Sequence, residues 1–437
     1  MKMRSLVVSS AVLFVSLSLA AAGWVEVPDL RIVGTTDKSP LAYTVGDEVT
    51  FTISLTGVSS LPSPMKFKWN VWGDNGYAKN GEEPAEIGKP LVLKMKAEKP
   101  GSFRVFAGLV DAKGVLVRSP DSGKSRKIQW FGGAIVDSAK LPRAPEPADF
   151  DKFWSAQKAR LAAEPLKVTR RQVKPAPHDN VNDCWAIDIA CPGGRDLHGY
   201  LTIPKTWKDG KKFVYAEVVT CALGLHSMQR PHIGTQGICL NISASGQLVE
   251  VDEKTWKAYN EKLKGPSGRY LMYDDETNAN PEKSEFLAMA FRLMRGYQFL
   301  KTLPEWTGEQ LGAWGEGLQA IYVAALVDGV NFVTSAHSAF PADFSGPSFG
   351  RMGVESQPLN WRPELGYFDP VNLARRVPKT CSVNIENVYL GGYPPVPAAI
   401  DAIYRNLRGP KSIKFVQGTR PGSFQPRPED VIEIKEK

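Results

Sequence analysis

Histidine is scarce in this chain. Five are present in 437 residues, at positions 178, 198, 226, 232 and 337, and none follows residue 337. An imidazole base near the C-terminus is therefore excluded. Cysteine is equally scarce. Cys184, Cys191, Cys221, Cys239 and Cys381 make an odd set with no C-x-x-C. No Cys/His pair stands at metal-ligand spacing, so no metal and no cofactor is expected. In a chain large enough to build a core, buried thiols are expected rather than a disulfide framework. Charge of one sign is never concentrated. The net charge is +8, from 54 basic and 46 acidic residues scattered along the chain. That excludes a nucleic-acid arm and a polybasic membrane patch. Long apolar runs are missing apart from residues 6–19.

That run lies in a leader-like segment. The chain opens MKMR, runs apolar, and ends in small residues at 20–22. A basic start, a short apolar core and a small-residue end read as a secretory signal peptide over 1–22. The run is too short to span a bilayer. The protein is expected to be exported, to the periplasm or outside the cell, with no membrane span after signal removal.

Residues 24–135 read as all-β. Over 43–55, Val49, Phe51, Ile53 and Leu55 fall on one face of an alternating strand. Short alternating stretches at 65–72, 91–95, 102–110 and 127–131 follow, separated by Gly and Pro. The spacing predicts a β-sandwich of immunoglobulin-like size. Trp69, Trp72, Trp130 and Phe131 admit two roles, core and interface packing or a platform for sugar rings. Residues 136–147 form a linker, with three prolines in LPRAPEP at 141–147.

From 148 to 437 the pattern changes to α/β. Strands are expected at 186–190, 197–203, 213–219, 237–242, 311–314, 331–335, 388–390 and 412–416. Helices are expected at 148–163, 284–303, 318–326 and 396–407. Alternation of the two predicts a mostly parallel sheet covered on both faces. The organising stretch is LGAWGEGLQA at 311–320. It reads as a buried strand, a glycine turn and the start of an apolar helix, the shape of a nucleophile elbow. No Ser, Thr or Cys occurs between Gly308 and Val333.

Several segments in order resemble the acetyl xylan esterase and cephalosporin-C deacetylase family of α/β-hydrolases, over about 147–420. They are FDKFW at 150–154, LHGYLTIP at 197–204, RGYQFLKTLPEW at 295–306, YFDPVNLA at 367–374 and YPP at 393–395. The resemblance implies an α/β-hydrolase fold and a Ser-Asp-His triad that hydrolyses acetyl esters on sugars. The family's elbow serine falls on Gly317, its acid on Leu390 and its histidine on Arg420. All three positions are therefore read as lost, and no catalytic residue is assigned. The pocket candidates are Gly315, Glu316, Gly317 and Leu318 at the elbow, Ala222 or Leu223 as backbone donor for an oxyanion, and His337 past a strand end.

Other residues are tempting. GPSFG at 346–350 matches G-x-S-x-G, but its flanks read as loop. Glu316 at the elbow reads as a pocket-lining carboxylate or, as in some hydrolases, a carboxylate nucleophile. Asp401 reads as a solvated helix residue, and 274–276 as a solvated acidic loop. Three functions follow. The first is an exported esterase-like protein with a degenerate site that binds a glycan, such as a plant-type or acetylated polysaccharide, or a partner. The second is an active carbohydrate esterase with a relocated constellation, such as Ser335 or Ser348 with His337. The third is a scaffold whose β domain binds the polymer.

Overall fold

A computed structural model describes residues 24–74, 76–121, 124–220, 237–316, 318–336, 359–391, 396–418 and 428–436. The N-terminal part holds β1 (Trp24–Glu26), β2 (Arg31–Thr36), β3 (Glu48–Thr56), β4 (Met65–Gly73), β5 (Ala78–Ala85), β6 (Leu91–Lys96), β7 (Gly101–Asp111), β8 (Leu116–Asp121), β9 (Lys124–Lys127) and β10 (Gln129–Val136). Strands β2, β3 and β6 form one sheet. The other seven form a second, in the order β1-β8-β7-β4-β5 with β10 on β7 and β9 on β8.

Period-two alternation decides what these sheets enclose. Val49, Phe51 and Ile53 of β3 share one core with Phe67 and Val71 of β4 and with Val105 and Leu109 of β7. Trp130 lies at its centre, edge-on to Phe51 at 6.2 Å. Its indole fits because Gly34 and Gly132 lie beneath it, where a Cβ would come within 2.5 and 1.9 Å of the ring. Trp130 is thus core, whereas Trp72 is 39% exposed.

The rest of the chain holds α1 (Phe150–Ala163), β11 (Val168–Val173), β12 (Asn182–Ile189), β13 (Leu197–Pro204), β14 (Phe213–Thr220), β15 (Gly237–Ile242), α2 (Glu253–Glu261), α3 (Glu285–Leu300), β16 (Trp306–Glu316), α4 (Leu318–Leu326), β17 (Phe332–Ala336), α5 (Pro370–Ala374), β18 (Ser382–Tyr389), α6 (Pro397–Asn406), β19 (Lys411–Val416) and β20 (Val431–Glu436). Its strands form one sheet, β11-β12-β13-β15-β14-β16-β17-β18-β19-β20. The six strands from β15 to β19 in that order run parallel. The strands on either flank pair antiparallel. No described helix is long and apolar enough to cross a membrane.

Cover of both faces, expected from the sequence, is uneven among the described residues. Gly296 of α3 packs on Leu240, Val218 and Leu197, and α4 starts against Gly315, so both helices lie on the same face. Contacts run on from α4 to α5 and from α5 to α6, continuing that layer. On the opposite face Val249 packs on Cys184, Ala186 and Tyr200 at one end. Farther along that face, Tyr215 and Glu217 are half-buried and Trp314 is 39% exposed.

The stretch between the two parts is pinned rather than free. Leu141 is buried, Arg143 Nη2 donates to Asp369 at 3.1 Å, and Arg376 Nη2 donates to Glu146 at 2.7 Å. Asp401, expected to be solvated, is 3% exposed. It accepts hydrogen bonds from Ser138 Oγ and, at 2.6 Å, from Arg405 Nε. A helix carboxylate facing a neighbouring module escapes a pattern-based reading, because only the packing tells which side is outside.

Candidate functional site

Strand β16 runs in the middle of the parallel sheet, between β14 and β17. It ends at Glu316 and α4 begins at Leu318. A single residue therefore separates strand from helix, the tight connection that an elbow requires. Two glycines let the strand lie so close. A Cβ on Gly312 would come within 1.9 Å of the Phe332 ring, and one on Gly315 within 2.2 Å of Thr220 Oγ1. Helix α4 is apolar apart from Gln319, with Ala320, Ile321, Tyr322, Val323 and Ala324 buried, as a helix with little solvent face should be. Tyr297 Oη donates to Gly312 O at 2.6 Å, and Tyr322 Oη to Phe368 O at 2.6 Å. Burial raises both phenols well above their ordinary pKa. They act as neutral donors that hold the elbow strand and its helix.

Beneath the turn lies a row across the strand ends, Thr220, Gly315 and Ser335. Among the described residues, Thr220 Oγ1 and both amide atoms of Gln319 find no hydrogen-bond partner, though the residues are 2% and 0% exposed. Leaving such a group unmet inside a protein costs about 1–3 kcal/mol. The motif pointed to the elbow but not to these two side chains. Their only sequence signal is position, at the end of the neighbouring strand and two residues past the turn. Ser335 is buried in this row, below the turn rather than raised at its tip.

The position to which the resemblance assigns the acid lies just past β18. Strand β18 stops at Tyr389. Leu390 is 0% exposed, and its N–H donates to Val416 O at 2.8 Å. Gly391 follows, so close to β10 that a Cβ on it would lie 2.0 Å from Gly132 N. At the start of the loop that should carry the base, Gly418 pairs with Phe131 of β10 through bonds of 2.6 and 2.7 Å. Both loops therefore begin in contact with the N-terminal part.

Gly317, Ala222, Leu223, His337 and Arg420 lie outside the described residues, as do Ser348 and the side chains of Glu316 and Leu318. His198 and Asp274 are each accounted for by local bonds. His198 Nδ1 lies 2.6 Å from Asp188, with its ring edge-on to Tyr259 at 6.1 Å, so it is a satisfied structural histidine. Asp274, expected in a solvated loop, is buried and accepts bonds from Ser267 and Thr277. It organises a turn. Among the described residues no group of three or more His, Cys, Asp or Glu could hold a metal ion. Cys184, Cys191, Cys239 and Cys381 are buried and none forms a disulfide. Burial pushes the Cys191 and Cys381 thiols up to about 11.

No protein-family model matches the chain. An acetyl esterase of Xylanibacter ruminicola, Axe7A, is 27% identical over 263 residues, 56% of this chain and 56% of that relative. The chain is thus similar in sequence to this acetyl esterase. It matches little more than half the length of that curated relative. Among solved structures, the acetyl xylan esterase from Paenibacillus sp. R4 superposes with a TM-score of 0.50 at 18% identity, covering 64% of this chain and 90% of that one. At that identity the likeness speaks for the fold, which is of the α/β-hydrolase type.

Proposed function

We propose that this esterase-like protein binds acetylated, plant-type polysaccharide at the C-terminal edge of its sheet and does not turn the esters over at enzyme rates. The observation that carries this is Leu390. Where the relatives' pattern calls for a carboxylate, an apolar side chain is fully buried and the next residue is wedged against β10. Gly317 at the elbow and Arg420 in the base loop complete the set by sequence. With no nucleophile, no base and no orienting acid, only positioning and backbone hydrogen bonds would act on a bound ester. The unmet groups of Thr220 and Gln319 fit a site that takes a polar ligand or a water. We take residues 24–135 as a β-sandwich domain, 136–147 as the join and 148–437 as the hydrolase-like domain. The leader-like residues 1–22 support an exported site of action.

The test is direct. Purified protein should release acetate from acetylated xylan, and p-nitrophenol from p-nitrophenyl acetate, at background rates while binding the polymer. Enzyme-like turnover abolished by one point change, at Glu316 for example, would overturn the proposal.

A further inference from the structure

The outer face of the seven-stranded sheet carries a row of four side chains leading to the base loop. Strand pairing sets Asn80 of β5 beside Asn70 of β4, Asn70 beside Phe106 of β7, and Phe106 beside Phe131 of β10. These positions alternate with Val71, Val105, Ala107 and Trp130, which face the core, so the row faces away from it. At the usual strand spacing it is roughly 14 Å long. Phe106 lies along its strand over Gly108, where a Cβ would come within 2.8 Å of Phe106 Cζ. It meets Phe131 at 5.1 Å between ring centres. In the next row Trp72, 39% exposed, stands beside Arg104. The row ends beside the positions assigned to the acid and the base loop, because the Phe131 backbone pairs with Gly418 and Gly133 abuts Leu390.

Flat aromatic rings beside amides, half-open to solvent, suit a ligand with apolar ring faces and hydroxyl edges. Stacking takes the C–H faces of a sugar and the amides take its hydroxyls. We propose that Trp72, Phe106 and Phe131, with Asn70 and Asn80, form a platform for the backbone of a β-1,4-linked pyranose polymer. The platform leads the polymer toward the C-terminal edge of the parallel sheet, where β16 ends. The idea rests on the polysaccharide reading above and adds where the chain of sugars lies. Contact with the pyranose backbone, rather than with its acetyl groups, makes the platform indifferent to ester content.

The experiment is affinity electrophoresis and calorimetry of the full chain with soluble β-1,4-xylan, acetylated and after alkaline deacetylation. Trp72→Ala and Phe106→Ala should each weaken binding to both forms tenfold or more, with melting temperature unchanged for Trp72→Ala. If Phe106→Ala unfolds, Trp72→Ala and Asn70→Ala still decide the matter. If the wild type binds and these variants bind equally well, the platform is overturned while the polysaccharide reading stands. If the wild type binds neither xylan, both fall. Should the variants dissolve a self-association seen by sedimentation and leave xylan binding intact, the face is an interface between copies and the platform is overturned.

Discussion

Gly133 of β10 lies against the main chain of Leu390, where a Cβ on the glycine would stand 2.1 Å from the Leu390 carbonyl oxygen. The reciprocal approach is as tight, with Gly391 set against Gly132. Two glycines on one strand and one on the facing loop therefore let a β module dock on the position to which the resemblance assigns the acid. Backbone cannot step aside as a flexible side chain can. Gly133→Ala should destabilise the protein by about 1–3 kcal/mol or more. Urea unfolding should show a lower midpoint, and an unchanged midpoint would mean that the contact is looser than described.

Leu390→Asp asks whether restoring the carboxylate restores chemistry. The site is fully buried, and an uncompensated buried charge costs about 3–5 kcal/mol. Loss of stability without gain of esterase activity is expected, read by thermal melting and by release of p-nitrophenol. A soluble variant with at least tenfold higher esterase rate would show that the acid alone was limiting.

Thr220 and Gln319 give a test that separates storage for a ligand from simple imperfection. Thr220→Val keeps the shape and removes a buried hydroxyl that has no partner among the described residues. In the absence of ligand this should stabilise the protein by roughly 1 kcal/mol. The same change should weaken polysaccharide binding if the hydroxyl meets a ligand or a bridging water. A stabilised variant that binds unchanged would remove Thr220 from the site.

The buried thiols predict their own inertness. With Cys191 and Cys381 raised to about 11 by burial, about one thiol in a thousand is ionised at pH 8. Native protein treated with iodoacetamide should leave both unmodified in peptide mass maps, and urea should expose them. Rapid labelling of either in native protein would contradict its placement.

Much of the fold could be read from the sequence, because its signals are local. Apolar periodicity marked α3, and Gly312 and Gly315 marked the elbow strand and turn. The flanking strands β11 and β20 were missed, since VTRRQV and VIEIKE are too polar to read as buried strands. The first half of β18 was missed for a similar reason. Asp401 and Asp274 were misjudged because a carboxylate that accepts bonds from a neighbouring module or turn looks, in sequence, like a solvated one. Thr220 was invisible, for its meaning depends on lying beside Gly315 across a sheet. Leu390 could be read as apolar from the sequence, but not as a residue closed in beside β10.

Glu217 supplies a prediction that turns on sign. It lies on β14, half-buried, and accepts a hydrogen bond from Tyr215 Oη at 2.6 Å. Desolvation raises its pKa above the ordinary carboxylate value, and the bond from Tyr215 pulls partly the other way. A raised folded-state pKa means that the native protein holds this proton after the unfolded chain has lost it. Stability contributed by the neutral acid is thus complete below the ordinary carboxylate pKa and is lost as pH rises through the raised one. Glu217→Gln carries no charge at any pH and keeps an oxygen that can accept the Tyr215 bond. Its melting temperature should therefore fall less than that of the wild type between pH 4 and pH 8. Tyr215→Phe should do the opposite, since removing the donor leaves the charged form less favoured still. Parallel melting curves for wild type and Glu217→Gln across that range would show that Glu217 titrates as an ordinary solvated carboxylate.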